Sequence, residues 1–134
     1  MAQHRFQLRV YYEDTDLAGI VYYANYLKYI ERGRSEFVRS LGIDQTRLRA
    51  EAGIVFAVRR VEADYLSPAR FDDVLDVTTE LVETGGARIV LDQAVLRDGA
   101  VLFTARVTLV CLGEGGRAAR LPVPVRAALA AAQG

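Results

Sequence analysis

The sequence predicts one α+β domain over residues 1–134, with a long helix packed against an antiparallel sheet of about five strands. Three observations support this expectation. Apolar residues alternate near the N-terminus, they then recur with helical spacing, and the second half of the chain is rich in valine, threonine and alternating polar residues. The chain has 134 residues, 51% of them hydrophobic and 25% charged, as is typical of a single globular domain.

The first strand is expected over residues 5–12, because alternate positions there are apolar. These positions are Phe6, Leu8, Val10 and Tyr12. Residues 13–25 mix carboxylates, a glycine and a short apolar patch without a sustained period, which favours an ordered loop.

A helix of about four turns is expected over residues 26–41, where apolar residues recur at helical spacings. These residues are Leu27, Ile30, Phe37, Val38 and Leu41. Asn25 is placed to cap the start of the helix and Gly42 its end. Arg34 falls inside the apolar stripe and Glu31 at its margin, which predicts a paired or interface-facing role for both.

The rest of the chain predicts sheet and two short helices. A short helix is expected over 44–52 and a terminal one over 125–132, with Pro124 at its first position. Strands are expected near 54–66, 74–83, 88–97 and 101–112. Asp98-Gly99 indicates a tight hairpin, because both central residues of such a turn need positive φ. Both faces of the last two strands carry apolar residues, which favours oligomerisation because only one face can pack on the helix.

Charge and cysteine content restrict the function classes. Seventeen basic residues balance seventeen acidic ones, so no global positive field is available to hold a nucleic acid or an anionic membrane surface. The single cysteine, Cys111, cannot form an internal disulfide, which indicates a reducing compartment. No apolar run approaches membrane-spanning length, and the N-terminal residues do not resemble a signal peptide. We therefore expect a soluble, cytoplasmic protein.

The loop before the long helix carries the candidate chemistry. Glu13, Asp14 and Asp16 lie close together there, and a carboxylate held in a partly dry site can act as general base or nucleophile. The alternative is that acidic residues simply favour the positive end of the following helix. The unpaired N–H groups at the start of that helix form a cradle for a developing oxyanion. Residues 17–21 would let the backbone approach a ligand at Gly19 and exclude water, or would merely plug the space under the helix.

Several other catalytic machineries are missing. The only histidine, His4, lies near the N-terminus, which argues against Ser-His-Asp or Cys-His catalysis. The sequence has no G-x-S-x-G elbow, no Gly-rich phosphate loop ending in Lys-Ser or Lys-Thr, and no Cys/His spacing typical of zinc. No metal site and no cofactor are therefore predicted.

Two segments carry a resemblance to a known family. RVYYEDTDLAGIVYYANYLKYIERGRSEFVR (9–39) and FAVRRVEADYLSPARFDDVLDV (56–77) are similar to the acyl-CoA thioesterases related to 4-hydroxybenzoyl-CoA thioesterase. The YbgC, or tol-pal-associated, branch is the most similar. The resemblance implies a hotdog fold over nearly the whole chain, and it implies dimers of hotdogs, commonly paired into tetramers, with active sites at the dimer interface.

The resemblance also implies roles for particular residues. The family's catalytic aspartate corresponds to Asp16, with Asp14 in support. The backbone N–H that polarises the thioester carbonyl corresponds to that of Tyr23, where the YbgC branch often has histidine and the benzoyl-CoA enzymes have tyrosine. Apart from the resemblance, the apolar run before the helix makes Gly19, Ile20 and Val21 substrate-binding candidates, together with the aromatic residue Tyr22.

Other residues have a substrate-binding and a structural interpretation. Arg59, Arg60 and Arg88 are candidates for the phosphates of CoA, and they read equally well as solvated charges on strands. An acyl pocket could be lined by aromatic residues that are otherwise part of the core: Tyr22, Tyr23, Tyr26, Tyr29 and Phe56.

We therefore expect hydrolysis of an acyl-CoA to free acid and CoA, with Asp16 attacking the carbonyl carbon or activating a water. CoA would enter as part of the substrate, with no separate cofactor. Two alternatives stay open: an acyl dehydratase on the same fold, for which His4 is a poor base, and a non-catalytic acyl-CoA or acyl-carrier binding module.

Overall fold

The computed structural model describes residues 3–133, which form five strands, three α-helices and two single 3-10 turns, Tyr12–Asp14 and Glu114–Gly116. The strands and helices are β1 (Gln3–Arg9), α1 (Asn25–Ser40), α2 (Gln45–Ala52), β2 (Val55–Tyr65), β3 (Val74–Thr84), β4 (Arg88–Arg97), β5 (Ala100–Leu112) and α3 (Val123–Gln133). The predicted α+β class and number of strands are confirmed.

The five strands form one antiparallel sheet in the order β1-β3-β4-β5-β2. The consecutive strands β2 and β3 do not pair, because the chain crosses from the edge strand β2 to a place beside β1. The segment that makes this crossing, residues 66–73, also contacts the loop before α1. Strands β4 and β5 meet at the predicted Asp98-Gly99 hairpin, where φ is 49° at Asp98 and 83° at Gly99.

Helix α1 packs on one face of the sheet, and its closest approach is at Gly33. A Cβ added at Gly33 would lie 2.5 Å from Val77 Cγ1, so only glycine lets the helix and β3 come this close. On either side of Gly33, the buried helix stripe includes Tyr29, Ile30 and Phe37. Leu27, which the helical spacing assigns to this stripe, is 42% exposed instead, because it lies on the side of α1 turned away from the sheet.

The ends of α1 differ in how well the sequence predicts them. Asn25 does not cap the helix: its side chain donates to the Asp14 carbonyl at 2.9 Å, and Ala24 takes the N-cap position without a side-chain bond. The loop therefore recruits this amide, which would otherwise serve the helix. Gly42 ends the helix as expected, with φ of 80° and its N–H donating to the Arg39 carbonyl at 3.0 Å.

Arg34 has the paired role that its place in the stripe predicts. Its guanidinium donates to Gln93 Oε1 at 3.0 Å, and the Gln93 amide donates to the Ile30 carbonyl at 2.8 Å and to Thr79 Oγ1 at 2.9 Å. Gln93 and Thr79 are buried. The pKa of Arg34 is lowered by burial and partly restored by Glu31, so this network holds a cation under the helix.

Three other expectations need correction. The first strand ends at Arg9, because the 3-10 turn places Tyr12 in solvent. Pro124 is the second residue of α3, which begins at Val123. The sheet face away from α1 is crossed by a polar row of five residues: Gln3, Glu80, Asp92, Arg106 and Glu62. The apolar residues of β4 and β5 on this face, such as Val90, therefore do not form one continuous apolar surface.

Candidate functional site

The segment between β1 and α1 folds into a small hairpin with Asp16 at its tip. Thr15 and Val21 form an antiparallel bridge, and the Asp16 N–H donates to the Ile20 carbonyl at 2.9 Å. The turn is closed by a hydrogen bond from the Gly19 N–H to the Asp16 carbonyl at 2.9 Å, and Gly19 has a φ of 79°. This conformation strains any residue with a side chain, so the turn itself requires glycine here.

The Asp16 carboxylate has one oxygen engaged and one free. Oδ1 accepts from the Ala18 N–H at 2.9 Å, which fixes the side chain across the turn. Among residues 3–133, no donor is hydrogen-bonded to Oδ2. Asp16 is exposed and borders an open hollow of about 590 Å³ that is otherwise lined by Tyr12, Thr15, Leu17, Gly19 and Phe71.

A third short segment completes the hairpin. The Val21 N–H donates to the Ala69 carbonyl at 2.8 Å, and Ile20 bridges Arg70. Val21 and Ala69 point into the core, where both are buried. The side chain of Val21 therefore fills the space under the helix, as the structural alternative predicted. Only the backbone of Val21 is left to approach a ligand. Ile20, one residue earlier, is half-buried.

At the start of α1 the structure leaves an exposed backbone donor. The Tyr22 N–H donates to the Asp14 carbonyl at 2.9 Å, whereas the Tyr23 N–H has no acceptor within residues 3–133. The Tyr23 side chain is 61% exposed. The Tyr65 hydroxyl, from the end of β2, donates to the Tyr23 carbonyl at 3.0 Å and so fixes the orientation of this stretch of backbone.

Asp14 holds the two ends of the hairpin segment through hydrogen bonds. Its Oδ2 accepts from the Tyr11 N–H at 2.8 Å, and its carbonyl holds Tyr22 and Asn25. The hydroxyl of Tyr29, one turn into α1, is buried and lies beside the Asp14 carboxylate. Burial first, and the negative charge of Asp14 second, raise the pKa of Tyr29, so this phenol stays neutral.

Asp16 and the Tyr23 N–H lie on one hairpin but do not touch. Ile20 is opposite Asp16, and Tyr23 comes three residues later, in the turn that leads into α1, so the Cα atoms of Asp16 and Tyr23 are on the order of 10 Å apart. Of the aromatic residues suggested for an acyl pocket, Tyr26 and Tyr29 are buried core residues. Tyr22 is exposed beside Tyr23, with ring centroids 5.0 Å apart.

The three predicted phosphate-binding arginines are not gathered at this hairpin within one chain. Arg60 pairs with Glu62 at 3.4 Å in the middle of β2, close to the bulge that contains Arg59. Arg88 pairs with Glu83 at 3.3 Å at the beginning of β4. The hairpin that carries Asp16 lies near the opposite end of that strand. Their binding role stays a prediction.

Two residues beside the hairpin were not singled out from the sequence. Tyr65 is brought there by the end of β2, and Arg70 by the crossing segment. Tyr65 lies 42 residues from its partner Tyr23. No local period connects positions so far apart. The one available signal was that both lie in the second segment of resemblance, 56–77.

Comparison with known proteins identifies the family of this chain. The profile of the thioesterase-like superfamily matches residues 10–132. The acyl-CoA thioesterase YbgC of Haemophilus influenzae is 42% identical over 110 residues, 82% of this chain and 81% of that protein. The acyl-CoA thioester hydrolase YbgC of Escherichia coli is 39% identical over 109 residues, 81% of each chain.

Solved structures agree in fold. A probable thioesterase from Bartonella henselae superposes with a TM-score of 0.87 at 40% identity, covering 90% of this chain and 100% of that one. A 4-hydroxybenzoyl-CoA thioesterase superposes with a TM-score of 0.89 at 23% identity, over 95% and 98% of the two chains, and this likeness shows the fold alone. The predicted hotdog fold is confirmed. The chain therefore belongs to the thioesterase-like superfamily, and it is a thioesterase.

Proposed function

We propose that this thioesterase hydrolyses an acyl-CoA to the free acid and CoA, with Asp16 as the catalytic carboxylate and the Tyr23 N–H as the oxyanion donor. The observation that supports the proposal is the free Oδ2 of Asp16 on the same hairpin that leads to the unpaired Tyr23 N–H. A separation on the order of 10 Å between their Cα atoms leaves space for one planar thioester between the two groups. The similarity to acyl-CoA thioesterases of the YbgC type supports the choice of CoA ester.

The roles follow from the chemistry of a thioester. As a nucleophile adds to the carbonyl carbon, negative charge grows on the carbonyl oxygen, and a fixed N–H there lowers the barrier. Asp16 either attacks that carbon itself, forming an acyl-aspartate that water then cleaves, or removes a proton from the attacking water. The C–S bond breaks, and the departing CoA thiolate takes a proton from solvent in the acyl-aspartate route or from the newly protonated Asp16 in the general-base route. CoA enters as part of the substrate, so the reaction needs no separate cofactor.

We further propose that a second copy of the chain completes the site. Apolar and aromatic side chains remain exposed along the edge strand β2 and beside the hairpin, a costly arrangement for a free monomer. They include Val55, Val58, Val61, Tyr65, Leu66, Tyr12, Leu17 and Phe71. Pairing of two β2 edges would cover the first five of these and bring the two helices side by side. A dimer of dimers and a cytoplasmic location remain parts of the proposal.

Replacing Asp16 by asparagine tests the catalytic role. The asparagine keeps a side-chain oxygen for the Ala18 N–H, so the hairpin is expected to fold, but the negative charge is gone. We expect thiol release from acyl-CoAs to fall at least about 100-fold, since general-base or nucleophilic assistance is worth this much or more. The control is Asp44→Asn, an exposed carboxylate at the start of α2, where the asparagine likewise keeps a side-chain oxygen for the Arg47 N–H. Retained activity in Asp16→Asn, with an unchanged melting temperature, would refute the assignment.

Isotope labelling separates the two routes. During repeated turnover in ¹⁸O-labelled water, an acyl-aspartate that water cleaves at the Asp16 carboxyl carbon leaves label in Asp16, whereas a general base stays unlabelled. Detection of a covalent acyl-aspartate under single turnover identifies the nucleophilic route even if water attacks the acyl carbon. If the wild-type protein binds acyl-CoAs tightly but releases no thiol, it is a binding module instead.

A further inference from the structure

The outer side of the hairpin carries one positive charge in register with Asp16. Asp16 lies opposite Ile20, and Ile20 bridges Arg70 in an antiparallel pair. Residues directly opposite each other in such a ladder share one face, so Asp16, Ile20 and Arg70 form a row on the side away from the buried Val21. Two strand spacings separate the outer members, which puts their backbones on the order of 10 Å apart.

The charges around Arg70 are already matched to other groups. Asp73 pairs with Arg97 at 2.7 Å, and Asp72 pairs with Arg9 at 3.0 Å. Asp73 Oδ2 also accepts the backbone N–H of Arg70 at 2.8 Å, which fixes the main chain of this residue, and the charge of Arg70 helps to lower the pKa of Asp73. Within residues 3–133, no carboxylate lies within ion-pair distance of the exposed Arg70 side chain.

Arg70 therefore has a fixed backbone and an open guanidinium fork, in the same row as Asp16 and next in sequence to Phe71, which lines the Asp16 hollow. A guanidinium of this kind suits a phosphate, which accepts two parallel N–H bonds. The substrate proposed above carries phosphates on its thiol part, at a distance from the reacting carbonyl. A long arginine side chain can extend beyond this backbone separation, so its guanidinium can reach a phosphate at the far end of the thiol-bearing part.

We propose that Arg70 binds a phosphate of the thiol-bearing part of the substrate, and that this contact distinguishes phosphorylated thioesters from simple ones. The inference rests on the proposed thioester hydrolysis at Asp16. It concerns a residue that the charge pattern of the sequence does not single out, since exposed arginines are scattered along the chain. The same chemistry occurs in CoA and in a carrier-bound phosphopantetheine, and the experiment separates these sources.

The test compares Arg70→Ala with the wild type on three thioesters of one acyl group: the CoA ester, the 4′-phosphopantetheine ester and the phosphate-free pantetheine ester. We expect KM for acyl-CoA to rise about tenfold, which corresponds to loss of one charge-assisted contact, with kcat almost unchanged. The pantetheine ester should show no change. An equal rise for the phosphopantetheine ester assigns the contact to the phosphate shared with carrier proteins, and a rise for CoA alone assigns it to the nucleotide phosphates.

The matched control is Arg49→Ala, which removes another exposed arginine, on α2, that has no ion pair in the described part of the chain. It should leave all three KM values unchanged. Equal effects of Arg70→Ala on the pantetheine and CoA esters, or no effect on any of them, would overturn the proposal about Arg70. Failure of the wild type to hydrolyse any of the three thioesters would instead overturn the proposed function.

Discussion

At the scale of single residues, the site depends on how the backbone at the start of α1 is held. The Tyr65 ring packs against Tyr23, Tyr26 and Phe103, with ring centroids 6.2, 5.4 and 4.9 Å away. This packing directs its hydroxyl to the Tyr23 carbonyl. Tyr26 has a comparable role deeper in the core, where its hydroxyl accepts the Ala69 N–H at 2.9 Å. Burial raises the pKa of Tyr26, so the phenol remains neutral.

Tyr65→Phe isolates the contribution of that hydroxyl. The ring and its packing remain, and only the bond to the Tyr23 carbonyl is lost, so we expect kcat to fall several-fold while KM and the melting temperature hardly change. A lost hydrogen bond of about 1 kcal/mol corresponds to a factor of roughly five in rate. Steady-state kinetics on one acyl-CoA would measure it, with Tyr11→Phe as a control on an exposed tyrosine. A rise in KM at constant kcat would show that Tyr65 acts on substrate binding instead.

At the scale of elements, the crossing segment between β2 and β3 is anchored by Asp73. Burial alone would raise the pKa of Asp73, but the Arg70 N–H and the Arg97 guanidinium outweigh it and lower the pKa below its usual value. The Asp73 and Arg97 side chains are 22% and 33% exposed, so solvent screens this pair less than it screens most surface pairs. The anchor therefore stabilises both the segment and the position of Arg70.

Asp73→Asn is expected to reduce the free energy of unfolding by about 1 kcal/mol at pH 7. A carboxyl whose folded pKa is lowered stabilises the fold above its unfolded pKa of about 3.9, and this stabilisation is lost as pH falls through the lower folded value. The difference between variant and wild type should therefore shrink below about pH 4. Urea unfolding at pH 7, 5 and 3.5 measures it.

The control for this experiment is Asp72→Asn, because the Arg9–Asp72 pair is 51% and 65% exposed and should contribute little. Equal losses in both variants, or a loss at Asp73 that does not depend on pH, would contradict the anchoring role.

At the scale of the whole molecule, the two faces of the sheet differ and the edges decide what can assemble. The face toward α1 is closed by the helix, and the opposite face has a charged row across its middle. The edge strand β2 is flanked by exposed valines. Association through the β2 edge thus fits the exposed apolar surface better than stacking of the outer faces does.

Val58→Asp places a charge beside that edge, where Val58 is 49% exposed. If the active site is completed by a second copy, the variant should sediment as a folded monomer and lose most of its activity, because an unpaired charge at an apolar interface is strongly disfavoured. Val123→Asp, at the exposed start of α3, is the matched control and should change neither property. A wild type that is monomeric and fully active would rule out the shared site.

Local patterns in the sequence were enough to predict the strands and helices. Alternation and helical spacing give the strands and α1 to within a few residues, because both reflect which neighbouring side chains share one buried face. Asp98-Gly99 gives the hairpin because positive φ is a property of the residues themselves. The catalytic role of Asp16 comes from the family resemblance, since its neighbours along the chain form the motif, and it stays a prediction.

Tertiary structure decided what depends on contacts between distant segments. The order β1-β3-β4-β5-β2, the close approach at Gly33 and the placement of Tyr65 and Arg70 beside the hairpin all join residues tens of positions apart. Asn25 illustrates the same limit: its residue type favours a helix cap, but the folded loop offers the Asp14 carbonyl instead. A local period records which residues are buried, whereas the partner of each buried or polar group is chosen only when the whole chain packs.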